Sequence, residues 1–331
     1  MSIDQPVAVL LMIVFAVIAI AVPLIYMGVQ NLWNATGLIA GVIMVGVFVV
    51  IFAIGMAMEW RGTPLNGCVA GGDCYCENQP ILDQPLAVKQ PVGTLTAYFP
   101  IFFGLLILGW TEHERIRGLN RLASNPMRNG SFFPILYGLT VIFLGIGSMF
   151  YHASMTDLLG AFDPASIMLF ATLVIAYDVY RLAKGDTVSW GWWVFLIVWG
   201  AVVIGLTVLI FAGGATDLVS MGAIGLAILI ETLIWVAQRI ADNPTTSASG
   251  WVSASRTFLN GLRRPWYWYP LMLVTLGVAI GVWLPSHTGA ALCATVSEQF
   301  SVWQWHGLWH LLAMGAVPFM FYLMYREESR A

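Results

Sequence analysis

The sequence predicts an all-α, polytopic membrane helix bundle, and three observations carry that expectation. Hydrophobic residues fill 59% of the 331 positions, charged residues only 9%, and mean hydropathy is +0.82; a soluble domain carries about 25% charged residues. Apolar stretches recur that are long enough to cross a hydrocarbon layer of about 30 Å, which takes roughly 20 residues per helix. The few basic residues cluster between those stretches rather than inside them.

Nine spans are expected, near residues 7–28, 36–58, 94–111, 132–151, 164–182, 188–212, 217–237, 267–285 and 302–325. Short turns separate the fourth to sixth. Lys and Arg are retained on the cytoplasmic side of short loops. Arg115, Arg117, Arg121 and Arg128 follow span three, Arg181 and Lys184 follow span five, and Arg239, Arg256, Arg263 and Arg264 follow span seven. With Arg326 and Arg330 at the end, twelve of the 14 basic residues fall on one face, and only Arg61 and Lys89 on the other. The N-terminus is therefore expected outside and the C-terminus in the cytoplasm. The acidic MSIDQ start suits a short translocated tail and lacks the positive charge of a cleavable signal peptide.

Cys68, Cys74 and Cys76 lie in the loop after span two and Cys293 in the loop before span nine. All four are on the face assigned to the outside, where disulfides form, with three possible pairings. Unpaired thiols or a metal-binding loop are the alternatives, and the CxC spacing disfavours a direct Cys74 to Cys76 bridge.

Ionisable groups at membrane depth are costly unless paired, ligated or hydrated. His306 and His310, in QWHGLWHLLAMG, stand four residues apart and project from one helix face, the spacing by which two imidazoles share a metal ion. Taken alone, they could equally belong to an interfacial aromatic belt with Trp303, Trp305 and Trp309. Ser148 and His152, in GIGSMFYHASMTDLLGAFDP, are also four apart, and Asp163 opens the next helix beside Pro164. The plain alternative is a serine bonded back to a carbonyl, an interfacial histidine and a capping aspartate.

Topology favours a joint site. Span four runs outward, while spans five and nine begin outside, so all five groups reach similar depth near the outer leaflet. Three neutral imidazoles with one open position are the ligand set of a catalytic zinc; a carboxylate can accept a proton from water, and a hydroxyl can stabilise an oxyanion. Asp178 and Glu231, towards the cytoplasmic half, are expected in a hydrogen-bonded interhelical contact. His113, in the charged TEHER turn, and His287, in the loop after span eight, are expected to be solvated or interfacial.

The pattern SxxxH at Ser148 to His152, an aspartate eleven positions on, and a terminal HxxWH at His306 to His310 resembles the alkaline ceramidases. These belong to a superfamily of seven-helix membrane hydrolases that also includes the adiponectin-type receptors. CEN at Cys76 to Asn78 and KQPVGT at Lys89 to Thr94 are similar to the family's opening motif. The resemblance covers about residues 74–326, leaving residues 1–60 as two additional N-terminal helices and residues 61–331 as the hydrolase core, with the Cys-containing loop at 61–93. It implies that His152, His306 and His310 bind zinc, that Asp163 is the general base, and that Ser148 polarises the amide carbonyl or holds the oxyanion. It further implies hydrolysis of the N-acyl amide of ceramide or a related N-acyl lipid.

Eukaryotic members bind calcium around the Cys-Glu pair. Here Glu77 is kept as a candidate for calcium or for a structural loop, but Cys74, Gln79 and Gln90 stand where acidic or amide ligands would. Asp73 and Asp83 could supply oxygens instead, or cystines could rigidify the loop. The expected partner is a membrane lipid rather than nucleic acid, and the compact loops suggest a bacterial inner-membrane protein with its site facing the periplasm. A receptor with a structural zinc, or a haem carrier using His152 and a span-nine histidine as axial ligands, are the competing classes.

Overall fold

The computed structural model describes residues 5–60, 88–119, 125–129, 132–184, 197–205, 208, 216–242, 250–259, 262–284 and 305–330. They form an α-helical bundle, in which seven helices are long and apolar enough to cross a membrane. The longer helices are α1 (Gln5–Gln30), α2 (Thr36–Ala57), α3 (Pro91–Arg117), α4 (Phe132–Ser154), α5 (Phe162–Lys184), α6 (Thr216–Ala241), α7 (Gly250–Leu259), α8 (Trp268–Trp283) and α9 (Trp305–Glu327), with single turns at Pro126–Asn129 and Asp157–Gly160. Of the sixth expected span, only 197–205 and 208 are described, and they are helical.

Two helices depart from expectation in length. α3 is one span of 27 residues with a single break at Ala97, so TEHER is the last turn of a helix and not a loop turn. His113 is correspondingly half-buried and shares a 2.9 Å hydrogen bond with the Tyr26 hydroxyl. Conversely, α8 has 16 residues, about 24 Å at 1.5 Å per residue, short of a full crossing.

Close helix approach organises the centre. A Cβ on Gly104 of α3 would stand 2.7 Å from the Gly138 carbonyl oxygen of α4, so the two backbones meet where neither has a side chain. Membrane helices associate through such small-residue contacts because burial against lipid supplies no hydrophobic drive. α1 and α2 pack onto the same pair, and Met27, Leu38, Phe48, Tyr98, Leu108 and Ile146 belong to one apolar cluster. The start of α2 is fixed electrostatically as well. Glu112, fully buried, accepts from the Gly37 N–H at 2.9 Å and pairs with Arg115, which also donates to the Asn34 carbonyl. A carboxylate at a helix N-terminus satisfies orphan donors and meets the positive end of the dipole.

Asp178 and Glu231 do make an interhelical contact, through Arg264. Its guanidinium reaches Asp178 at 2.6 Å, Glu231 at 2.8 Å and Glu328 at 3.2 Å, and lies 4.8 Å over the Tyr325 ring. Arg181 also pairs with Glu328. Burial by itself would lower the Arg264 pKa, but Glu231, Asp178 and Glu328 together hold it well above its usual value. Arg181 and Arg264 are therefore internal ties rather than solvated loop charges. The network joins α5, α6 and the end of α9, and an antiparallel pair of two-residue strands, β1 (Leu262–Arg263) and β2 (Ser329–Arg330), seals the same corner. Arg264→Met should destabilise the protein by about 3–5 kcal/mol, because it strands buried carboxylates without their counter-charge; thermal denaturation in detergent reads this directly, and an unchanged midpoint would show the network to be dispensable.

Candidate metal centre

The site forms at the end of the bundle where α4 finishes and α9 begins, opposite the end carrying Arg115, Arg117 and Arg326. α4 ends just after His152. Met155 takes a φ of 50°, a left-handed conformation that turns the chain out of the helix. The last carbonyls of a helix lack intrahelical donors, and here the segment entering α3 supplies them: Lys89 N–H donates to Ala153 O at 3.0 Å and Gln90 N–H to His152 O at 2.9 Å. This pairing lays the start of α3 against His152.

His152, His306 and His310 are each buried, and one ligand atom from each lies within 4.8 Å of the others, so the group could hold a metal ion. His306 and His310 share a helix face with ring centroids 4.6 Å apart. The Nε2 atoms of His152 and His306 stand 3.1 Å apart. From His310 to Ala316, α9 is wound as a π-helix, a distortion that gathers at functional sites.

Protonation follows from the outer contacts. The Thr96 hydroxyl has one proton, which goes to the Val92 carbonyl at 2.8 Å, so its oxygen accepts from His310 Nδ1 at 2.8 Å. His152 Nδ1 likewise faces Gln90 Oε1, an acceptor, at 2.5 Å. Both imidazoles are thereby held as Nδ1–H tautomers with the Nε2 lone pair turned inward, the arrangement by which second-shell groups orient metal ligands. Ser148, fully buried, donates to that lone pair of His310 at 3.1 Å, so its hydroxyl sits beside the position a cation would take.

Two glycines make the geometry possible. A Cβ on Gly93 would meet His152 Nδ1 at 2.7 Å, and one on Gly307 would meet the Thr96 methyl at 2.9 Å. Asp163 is in the first turn of α5, half-buried, and its carboxylate is not one of the converging ligand atoms. It follows Phe162, whose carbonyl oxygen would lie 2.5 Å from a Cβ on Gly147, beside Ser148. The expected belt holds only in part: Trp305 is exposed, whereas Trp309 is buried and packs 5.6 Å from Trp283. Glu77, the four cysteines, Asp73, Asp83 and His287 lie outside the described residues, so the calcium and disulfide expectations do too.

Gln90, Thr96 and Gly93 were not singled out from the sequence as parts of this centre. Gln90 and Gly93 stand in the KQPVGT stretch, Gln90 also as a departure from a calcium pattern, with no link to the histidines. The partners of Gln90 and Thr96 are 62 and 214 positions away, and no local spacing reveals such a contact. Thr96→Val keeps shape but removes the acceptor for His310 Nδ1–H, and should weaken metal affinity about 10–100-fold. Competition with a chromogenic chelator measures this; wild-type affinity in the variant would remove Thr96 from the role. Comparison with protein-family models, curated proteins and solved structures returns no match.

Proposed function

We propose that this protein is an integral-membrane, zinc-dependent amidase that cleaves the N-acyl amide of ceramide or a related N-acyl lipid to a fatty acid and a free amine. The observation that carries the reading is the convergence of three buried imidazoles whose Nδ1–H groups on His152 and His310 are tied outward, in a bundle built to cross a membrane. An all-imidazole set suits zinc, whereas calcium and magnesium take oxygen ligands. The resemblance of SxxxH, Asp163 and HxxWH to the alkaline ceramidases supports the same assignment.

Zinc, when bound by His152, His306 and His310, would supply Lewis acidity that polarises a carbonyl and makes water a better nucleophile near neutral pH. The Ser148 hydroxyl, beside the His310 lone pair, donates a hydrogen bond to the amide oxygen as negative charge grows there. The Asp163 carboxylate takes the proton from the attacking water and returns it to the nitrogen as the C–N bond breaks. The low exposure of the histidines excludes bulk water, which strengthens each of these interactions. The 3.1 Å separation of the His152 and His306 Nε2 atoms leaves no room for a porphyrin between them, which weighs against the electron-carrier reading.

Most basic residues lie at the opposite end of the bundle, so the positive-inside rule puts the histidines near the outer leaflet, facing the periplasm if the membrane is a bacterial inner membrane. The test is product release from labelled ceramide and other N-acyl amides by purified protein, compared by lipid analysis with His310→Ala. Free amine and fatty acid should accumulate only with the wild type. A zinc-replete protein that releases neither from any N-acyl lipid would overturn the proposal and favour a receptor.

A further inference from the structure

α1 and α3 run parallel with constant register. Tyr98 OH donates to Met12 O at 3.1 Å, Tyr26 meets His113 at 2.9 Å, and the Arg117 guanidinium approaches the Gln30 carbonyl oxygen at 3.4 Å. Between these ties the helices part. They leave an apolar groove of about 500 Å³, walled by Ile18, Val22, Leu105 and Leu106 and floored by Leu38, with Phe102 at one end and Tyr26 and His113 at the other. From Ile18 to Tyr26 is eight residues, about 12 Å along the helix. Tyr26 and His113 apart, the lining residues are apolar or aromatic, which suits a single hydrocarbon chain lying along the two helices with its polar end at the Tyr–His pair.

The polar end has a definite charge. Glu112 is paired with Arg115 and Glu114 with Arg326. Arg117 is exposed, one turn beyond His113, and has no carboxylate partner among the described residues. Among the described residues, the end of an acyl-sized groove thus carries a guanidinium without a carboxylate partner, next to a Tyr–His pair. This end is some 25 Å along α3 from Thr96 and shares no residue with the metal centre.

We propose that the groove between α1 and α3 is a binding site for an anionic phospholipid, with one acyl chain between the helices and the phosphate held by Arg117 together with His113 and Tyr26. The two N-terminal helices then serve to build a lipid site on the outside of the bundle, separate from the site of hydrolysis. Arginine and phosphate make charge-assisted, often bidentate hydrogen bonds, and a zwitterionic headgroup offsets part of that attraction with its own cation.

Gly109 provides the probe. It lines the groove, and a Cβ there would meet nothing nearer than Leu38 and Tyr26 at 4.0 Å, so a phenylalanine ring can grow into the space. The experiment reconstitutes wild type, Gly109→Phe and Arg117→Gln into vesicles of equal phosphatidylglycerol and phosphatidylcholine, extracts them in mild detergent, and counts retained lipids by native mass spectrometry. Wild type should keep about one phosphatidylglycerol per chain in clear excess over phosphatidylcholine. Gly109→Phe should lose retained lipid of both kinds, and Arg117→Gln should keep lipid but lose about fivefold in headgroup preference. Circular dichroism verifies that Gly109→Phe is folded; Arg117→Gln, at an exposed position, tests the headgroup contact independently. Equal retention of both lipids by wild type, unchanged retention by folded Gly109→Phe, or a co-purifying protein in place of lipid would each overturn the proposal.

Discussion

On the proposed function, His310→Ala will abolish both metal retention and amide hydrolysis. Its imidazole is oriented by Thr96 at Nδ1, which leaves Nε2 as the ligand atom, and it is 1% exposed. Removing it leaves two imidazoles, His152 and His306, fewer than the three protein ligands of a catalytic zinc. Asp163 does not stand in as a third ligand, because its carboxylate is not among the converging ligand atoms. Elemental analysis and turnover should therefore fall together, and a folded variant with full metal content would show that His310 is not a ligand.

Asp163→Asn should separate binding from chemistry. The carboxamide matches the carboxylate in shape, and the backbone carbonyl of residue 163, which accepts from the Ser166 hydroxyl at 2.8 Å, is untouched, so the start of α5 should keep its place. The amide nitrogen cannot take a proton from water, and turnover should fall by about 10² to 10⁴-fold, the usual worth of a positioned general base. Metal content should stay near the wild-type level. Steady-state rates on a labelled N-acyl lipid decide the point; an unchanged rate would remove Asp163 from proton transfer.

The contrast between those residues and their supports explains what the sequence made legible. A four-residue interval fixes a helix face, so Ser148 with His152 and His306 with His310 could be paired before any tertiary information was at hand, and the direction of successive spans placed the two pairs at one end. Apolar length likewise located most helices, since the hydrocarbon layer sets it. Gln90 and Thr96 obeyed no such local rule. Their contacts depend on how the start of α3 lies against α4 and α9, which Gly93 and Gly307 permit by having no side chain. Arg264 was obscured for a different reason: at the edge of a span a basic residue is equally consistent with cytoplasmic solvent and with a buried counter-charge, and only the carboxylates of Asp178, Glu231 and Glu328 around it distinguish the two. TEHER read as a turn because its charges interrupt an apolar run, yet Glu112 and Glu114 are both paired inside the fold and the helix continues to Arg117.

The most direct test of the central claim is the elemental composition of the purified wild-type protein, measured alongside its visible absorption spectrum. The account predicts about one zinc per chain and no Soret band. A protein grown with ample zinc that carries none, or one that carries iron with a Soret band, would contradict it.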